Sequence, residues 1–122
     1  MALAGGVVDR AVMAARLPGY YTRYVGEGEI AAIQQTGLLR GGRPGETCFT
    51  IDRYISKASA MQRLALKQAP DYRVEFEVLN RPSLIGPERV APSLRPIRWG
   101  WGIQYWTRDR VQVRILRYYR ME

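Results

Sequence analysis

Residues Tyr72 to Leu79 alternate between two chemistries. Val74, Phe76 and Val78 fall on one side, Arg73, Glu75 and Glu77 on the other. A period of two is the signature of a strand with one face on a core and the other toward water. A chain organised around such a strand must build a sheet and cover its apolar face. Val111, Val113 and Ile115 repeat the pattern in a run ending at Leu116. Ile103 to Thr107 reads as a further strand, joined to it by the turn Thr107-Arg108-Asp109-Arg110. Tyr20 to Val25 and Thr47 to Ile51 also have strand composition.

Helical signals come early. Glu27 and Glu29 sit where a helix N-terminus favours negative charge, Ile30 and Ile33 share a face, and Gly37 ends the segment as a C′ glycine. Ser56 caps a second helix with the apolar stripe Ala58, Met61, Leu64 and Ala65, and Pro70 closes it. Val7, Val8, Ala11, Val12 and Ala15 also repeat with helical spacing up to Pro18-Gly19. Residues 1–19 thus read as an N-terminal helical arm or linker remnant, and residues 20–122 as one domain. Residues 41–46 form a loop. Residues 80–98, rich in proline and poor in periodicity, form a long excursion of the kind that often carries function. The expected class is α+β, with a small, mostly antiparallel sheet and N-terminal helices.

The residue inventory narrows the chemistry. Among 122 residues there is no histidine, which excludes Ser-His-Asp and Cys-His catalysis and His-ligated zinc. The 11 acidic residues form no dense cluster for a metal, so a metal-free mechanism is expected. The lone Cys48 can form no internal disulfide and reads as a small apolar residue. No apolar run approaches the roughly 20 residues of a membrane span, and Met1 to Gly6 lack the pattern of a signal peptide. Net charge is +8, and of the 19 basic residues only Lys57 and Lys67 are not arginine. Such a field attracts polyanions or an acidic partner. Base composition of the gene and simple solubility account for the charge equally well.

Three segments, in order, resemble a known family. Phe49-Thr50-Ile51-Asp52-Arg53-Tyr54 resembles the aromatic-Ser/Thr-x-Asp-x-Tyr segment of diphtheria-type ADP-ribosyltransferase toxins. Tyr20-Tyr21-Thr22-Arg23-Tyr24-Val25, with the helix and glycine stop that follow, resembles their opening strand. Ile103-Gln104-Tyr105-Trp106 and the strand after it resemble their Val-Glu-Tyr strand. Tyr72-Arg73-Val74-Glu75-Phe76-Glu77 adds a likeness to the C-terminal toxins of Rhs-type polymorphic effectors. The likeness spans roughly residues 20–118.

The resemblance implies a split sheet and an NAD site. Arg23 would hold the dinucleotide, Thr50 would support the strand edge, and Phe49 and Tyr54 would sandwich the nicotinamide. The residue at 104 would stabilise the oxocarbenium-like transition state. Arg95, Arg98, Trp99 and Trp101 would meet the macromolecular target. It further implies a secreted effector, delivered to the cytoplasm of a target bacterium, that modifies elongation factor Tu or structured RNA and is held in check by an acidic immunity protein. The family's glutamate is here Gln104, which keeps an acceptor but carries no charge. Three explanations stay open: a deliberate exchange giving an inactivated variant, an acid supplied elsewhere by Glu75, Glu77, Glu88 or Glu122, or a domain that binds without catalysing. A metal-independent ribonuclease toxin and a non-catalytic RNA- or protein-binding module are the alternative functions.

Overall fold

The structure is a computed structural model and describes residues 19–39 and 45–122. The helical arm expected over residues 1–19 therefore lies, apart from Gly19, outside the described residues, as does most of the 41–46 loop. The elements run β1 (Tyr20–Val25), α1 (Glu27–Thr36), β2 (Leu38–Leu39), β3 (Thr47–Phe49), α2 (Lys57–Arg63), β4 (Tyr72–Val78), β5 (Ile85–Arg89), β6 (Ser93–Leu94), β7 (Ile97–Arg98), β8 (Ile103–Thr107) and β9 (Val111–Arg120). This is a small α+β protein whose strand pairs are antiparallel.

One sheet has the order β1-β4-β9-β2, a second β3-β8-β5, and β6-β7 form a short hairpin. The alternation read in the sequence packs the first sheet: Val74 and Phe76 of β4 and Val111 and Val113 of β9 are buried with Ile30 and Ile33 of α1. Four aromatic rings join the two sheets. Tyr21, Phe49, Phe76 and Tyr105 meet at centroid distances of 4.7 to 6.3 Å, mostly edge to face, a geometry that aromatic quadrupoles favour. The sheets touch at one backbone bridge, where Thr22 N donates to Thr50 O (2.7 Å) and Thr50 N to Thr22 O (2.8 Å).

Gly37 ends α1 as expected, at φ +67° with its N–H on the Ile33 carbonyl. Ser56 caps α2, its Oγ accepting from Ser59 N at 3.1 Å. The stripe expected on α2 is corrected. The helix stops at Arg63, before Leu64 and Ala65, and Ala58 is exposed. Ala60 is its buried residue, packed with Tyr24 and Met121.

Two further expectations change. Glu75 does not face water: it is only 5% exposed, and the β4–β9 register shifts at Glu75/Phe76. The 80–98 excursion contains β5 and the β6–β7 hairpin. Gly86 and Pro87 conceal β5 in the sequence, yet the close approach requires the glycine. At φ +127°, a Cβ on Gly86 would lie 2.7 Å from the Gln104 carbonyl. The register shifts between Ile85 and Glu88, as bulges do where a strand is re-aimed.

Candidate functional site

A cleft of about 800 Å³ opens beside the Thr22–Thr50 bridge. Arg23 of β1, Glu29 of α1, Thr50 after β3, Glu88 of β5, and Gln104 and Trp106 of β8 are among its walls. Strand alternation explains the choice on β8: Tyr105 points into the core, so Gln104 and Trp106 face the other way. Arg23 is fixed rather than solvated. Its Nε donates to Glu29 Oε2 at 2.6 Å, and its Nη1 donates to the Cys48 carbonyl. Antiparallel pairing sets Glu88 directly opposite Gln104, and Gln104 Nε2 donates to Glu88 Oε1 at 3.0 Å. With its amide N–H so engaged, the Gln104 carbonyl oxygen is the acceptor it can offer. The lining carries Arg23 and Lys67 against Glu29, Glu46 and Glu88.

Arg23, Thr50, Phe49 and Gln104 thus line one cleft, although 81 residues separate the first from the last. Phe49 is 3% exposed, its ring enclosed by Tyr21, Phe76 and Tyr105. Tyr54 lines a different, second cleft. The two rings therefore line separate clefts: apolar burial draws Phe49 into the core, while the Tyr54 hydroxyl donates to Asp52 Oδ2 at 2.8 Å. Trp106, which sequence reasoning did not single out, is the half-buried aromatic that shares the cleft with Gln104, with the Arg108 guanidinium 5.3 Å over its ring. Glu88 stood as one of four candidate acids. Of these, Glu75 is flanked by Arg73 of β4 and Arg117 of β9, and Glu77 pairs with Arg114.

The Asp52 block acts as a clamp. Asp52 Oδ2 accepts from Ile103 N (2.8 Å) as well as from Tyr54, and Asp52 N donates to Thr50 Oγ1 (2.9 Å). It so ties the end of β3 to the start of β8, one residue before Gln104. Tyr24 braces the block from β1: its hydroxyl donates to the Asp52 carbonyl and accepts from Tyr54 N. Burial pushes the Tyr24 phenol up to about 12 from 10.0, against the opposing pull of the Tyr54 N–H and of Arg73. Burial, and next the bond to Asp52, push the Tyr54 phenol up as well.

Folded Tyr24 holds its proton more tightly than the unfolded chain does. Its contribution is therefore intact below pH 10.0 and is lost as pH rises toward about 12. At about 1.4 kcal/mol per pKa unit, the loss amounts to roughly 2 to 3 kcal/mol. Urea unfolding on the two sides of that window should show it, with a smaller fall in Tyr24→Phe. Equal falls in both proteins would refute the assignment.

Of the residues expected to meet a target, Arg98 is committed to backbone carbonyls: those of Leu66 (2.8 Å), Lys67 (3.3 Å) and Ile97 (2.8 Å). Arg95 is exposed between β6 and β7. Trp99 and Trp101 are 63% and 58% exposed. Among the described residues, no group of three His, Cys, Asp or Glu is placed to hold a metal, and no helix is long and apolar enough to cross a membrane. Compared with protein families, curated proteins and solved structures, the chain matches none.

Proposed function

We propose that the chain is an NAD-dependent ADP-ribosyltransferase effector toxin, acting in the cytoplasm of a target bacterium on its translation machinery, through structured RNA or elongation factor Tu. One observation carries the reading. Arg23, Thr50 and Gln104, the residues the resemblance singles out on three separate segments, line one cleft, and a carboxylate, Glu88, is bonded to Gln104 there.

The cleft suits such a ligand. Its volume of about 800 Å³ falls within the range of small-molecule sites. Its walls mix cations and carboxylates, which fits a molecule carrying a cationic pyridinium ring and an anionic diphosphate. NAD supplies the ADP-ribosyl group, its nicotinamide leaving with the electrons of the glycosidic bond. Arg23, held by Glu29 and the Cys48 carbonyl, presents a pre-oriented guanidinium to a phosphate or ribose oxygen. Trp106 offers a flat face for a ring. Gln104 accepts from a ribose hydroxyl and is oriented by Glu88. Glu88 contributes the negative charge that Gln104 lacks, close to where positive charge develops on the sugar. Of the three explanations for Gln104, an acid supplied by another strand is the one this arrangement supports. The +8 charge favours an acidic immunity protein as the natural inhibitor.

Purified protein incubated with labelled NAD and a bacterial lysate should transfer label to RNA or protein, and Arg23→Ala should abolish the transfer. RNA shortened without NAD would replace this reading with the metal-independent ribonuclease. No transfer by the protein or by its Gln104→Glu variant would leave a binding module.

A further inference from the structure

A second cleft, of about 460 Å³, has Asp52 and Tyr54 of the clamp among its walls. Arg53, Arg63 and Arg89 line it with Trp101, and Asp52, the one carboxylate among its described walls, directs Oδ2 to Tyr54 and to Ile103 N. Three guanidiniums thus share a small concavity with one carboxylate that already accepts two hydrogen bonds. Arg53 adds a long contact to Glu75 at 3.8 Å, and its side chain remains largely exposed.

The indoles beside it are held out, not left loose. Gly100 N donates to the Gln62 carbonyl (2.7 Å), Trp101 N to Val90 O (2.8 Å) and Gly102 N to Arg63 O (2.9 Å). Trp101 sits at φ +74°, a left-handed conformation that is a genuine outlier for a bulky side chain. Strain of this kind persists where the surroundings impose it, and it clusters at binding sites. The Arg63 guanidinium lies 5.6 Å over Trp99, and Arg89 Nη1 donates to the Trp101 carbonyl at 2.9 Å. Large exposed indoles on a rigid loop beside three clustered arginines form a stacking platform with phosphate contacts, the combination that binds single-stranded nucleic acid. An acidic peptide would use the arginines and leave the indoles idle.

We propose that this second cleft binds an unpaired nucleotide of a nucleic-acid strand, its base against Trp101 and its phosphates on Arg53, Arg63 and Arg89. Trp101 and Gln104 are three positions apart in the chain, at most about 10 Å, so the two clefts are neighbours. The inference rests on the reading above only in naming its target class. Binding is measured without NAD, so the two fail separately.

The test is fluorescence anisotropy with labelled oligouridine and oligodeoxythymidine across a salt series. The shared chemistry predicts binding of both, and the tighter one identifies the source. Three phosphate contacts predict a slope of about −2 in log affinity against log salt. Trp101→Gly is the informative variant, because glycine tolerates the positive φ. It should weaken binding on the order of tenfold or more while the urea midpoint is kept. Combined Arg53→Gln, Arg63→Gln and Arg89→Gln should flatten the slope. Affinity unchanged in Trp101→Gly, a slope unchanged in the arginine variant, or displacement of the oligonucleotide by polyglutamate at equal charge would overturn the proposal.

Discussion

If the proposed function holds, Glu88→Gln is expected to slow transfer of ADP-ribose from NAD by roughly 10²- to 10³-fold, the cost of removing one preorganised electrostatic partner, with NAD affinity held within a few-fold. The substitution exchanges charge for an amide of the same shape. A glutamine at 88 can still accept from Gln104 Nε2, so the 3.0 Å contact and the β5–β8 register are retained. The loss should therefore fall on kcat, as for an interaction made only in the transition state. Gln104→Glu, the exchange that the family resemblance invites, brings a second carboxylate to within hydrogen-bond distance of Glu88. Like charges that close share a proton, so this variant alone should gain little. Placed in the Glu88→Gln background it should restore activity, because the charge then comes from the adjacent strand. Single-turnover rates for the four proteins decide the matter: an unchanged rate in Glu88→Gln removes Glu88 from the chemistry.

The largest effect on stability is expected at Glu75. Its carboxylate is buried beside Arg117 Nε (2.7 Å), Arg73 Nε (3.4 Å) and Arg53 Nε (3.8 Å). Arg53 and Arg117 are solvated, so their pairing contributes little. Arg73 is different. Its Nε is buried, makes no hydrogen bond and has Glu75 as its nearby charge. Glu75→Gln leaves that guanidinium in the sheet without a counter-charge, at a cost of about 3 kcal/mol. The urea midpoint should fall accordingly. Exchanging Arg73 and Glu75 together for methionine should recover much of the loss, since a buried pair replaced by apolar groups of similar size is often neutral. A change below about 1 kcal/mol in the single variant would show that solvent already compensates Arg73.

Several features were legible in the chain because they rest on local rules. The alternation of Val74, Phe76 and Val78 located β4, Gly37 located the end of α1, and Ser56 the start of α2. β5 was not legible. Glycine and proline at 86 and 87 argue against a strand, and only pairing with β8 makes one there. Glu75 misled for the same reason: its alternation pointed to water, but Arg53 and Arg117 from other segments join Arg73 of its own strand around it.

The candidate site divides in the same way. Motif order placed Arg23, Thr50 and Gln104 on a shared list, and the tertiary structure brings them to one cleft. It also separates Tyr54 from them, adds Trp106 to the cleft, and singles out Glu88 from the four candidate acids by setting it against Gln104. Sequence by itself marked β1, β3, β4, β8 and β9, the span of α1 and the start of α2, since backbone periodicity, caps and turn residues act within a few positions. The tertiary structure alone decided which side chains meet across them, such as Glu88 with Gln104 and Arg117 with Glu75. Those contacts depend on strand register and on competition for burial among residues far apart in the chain.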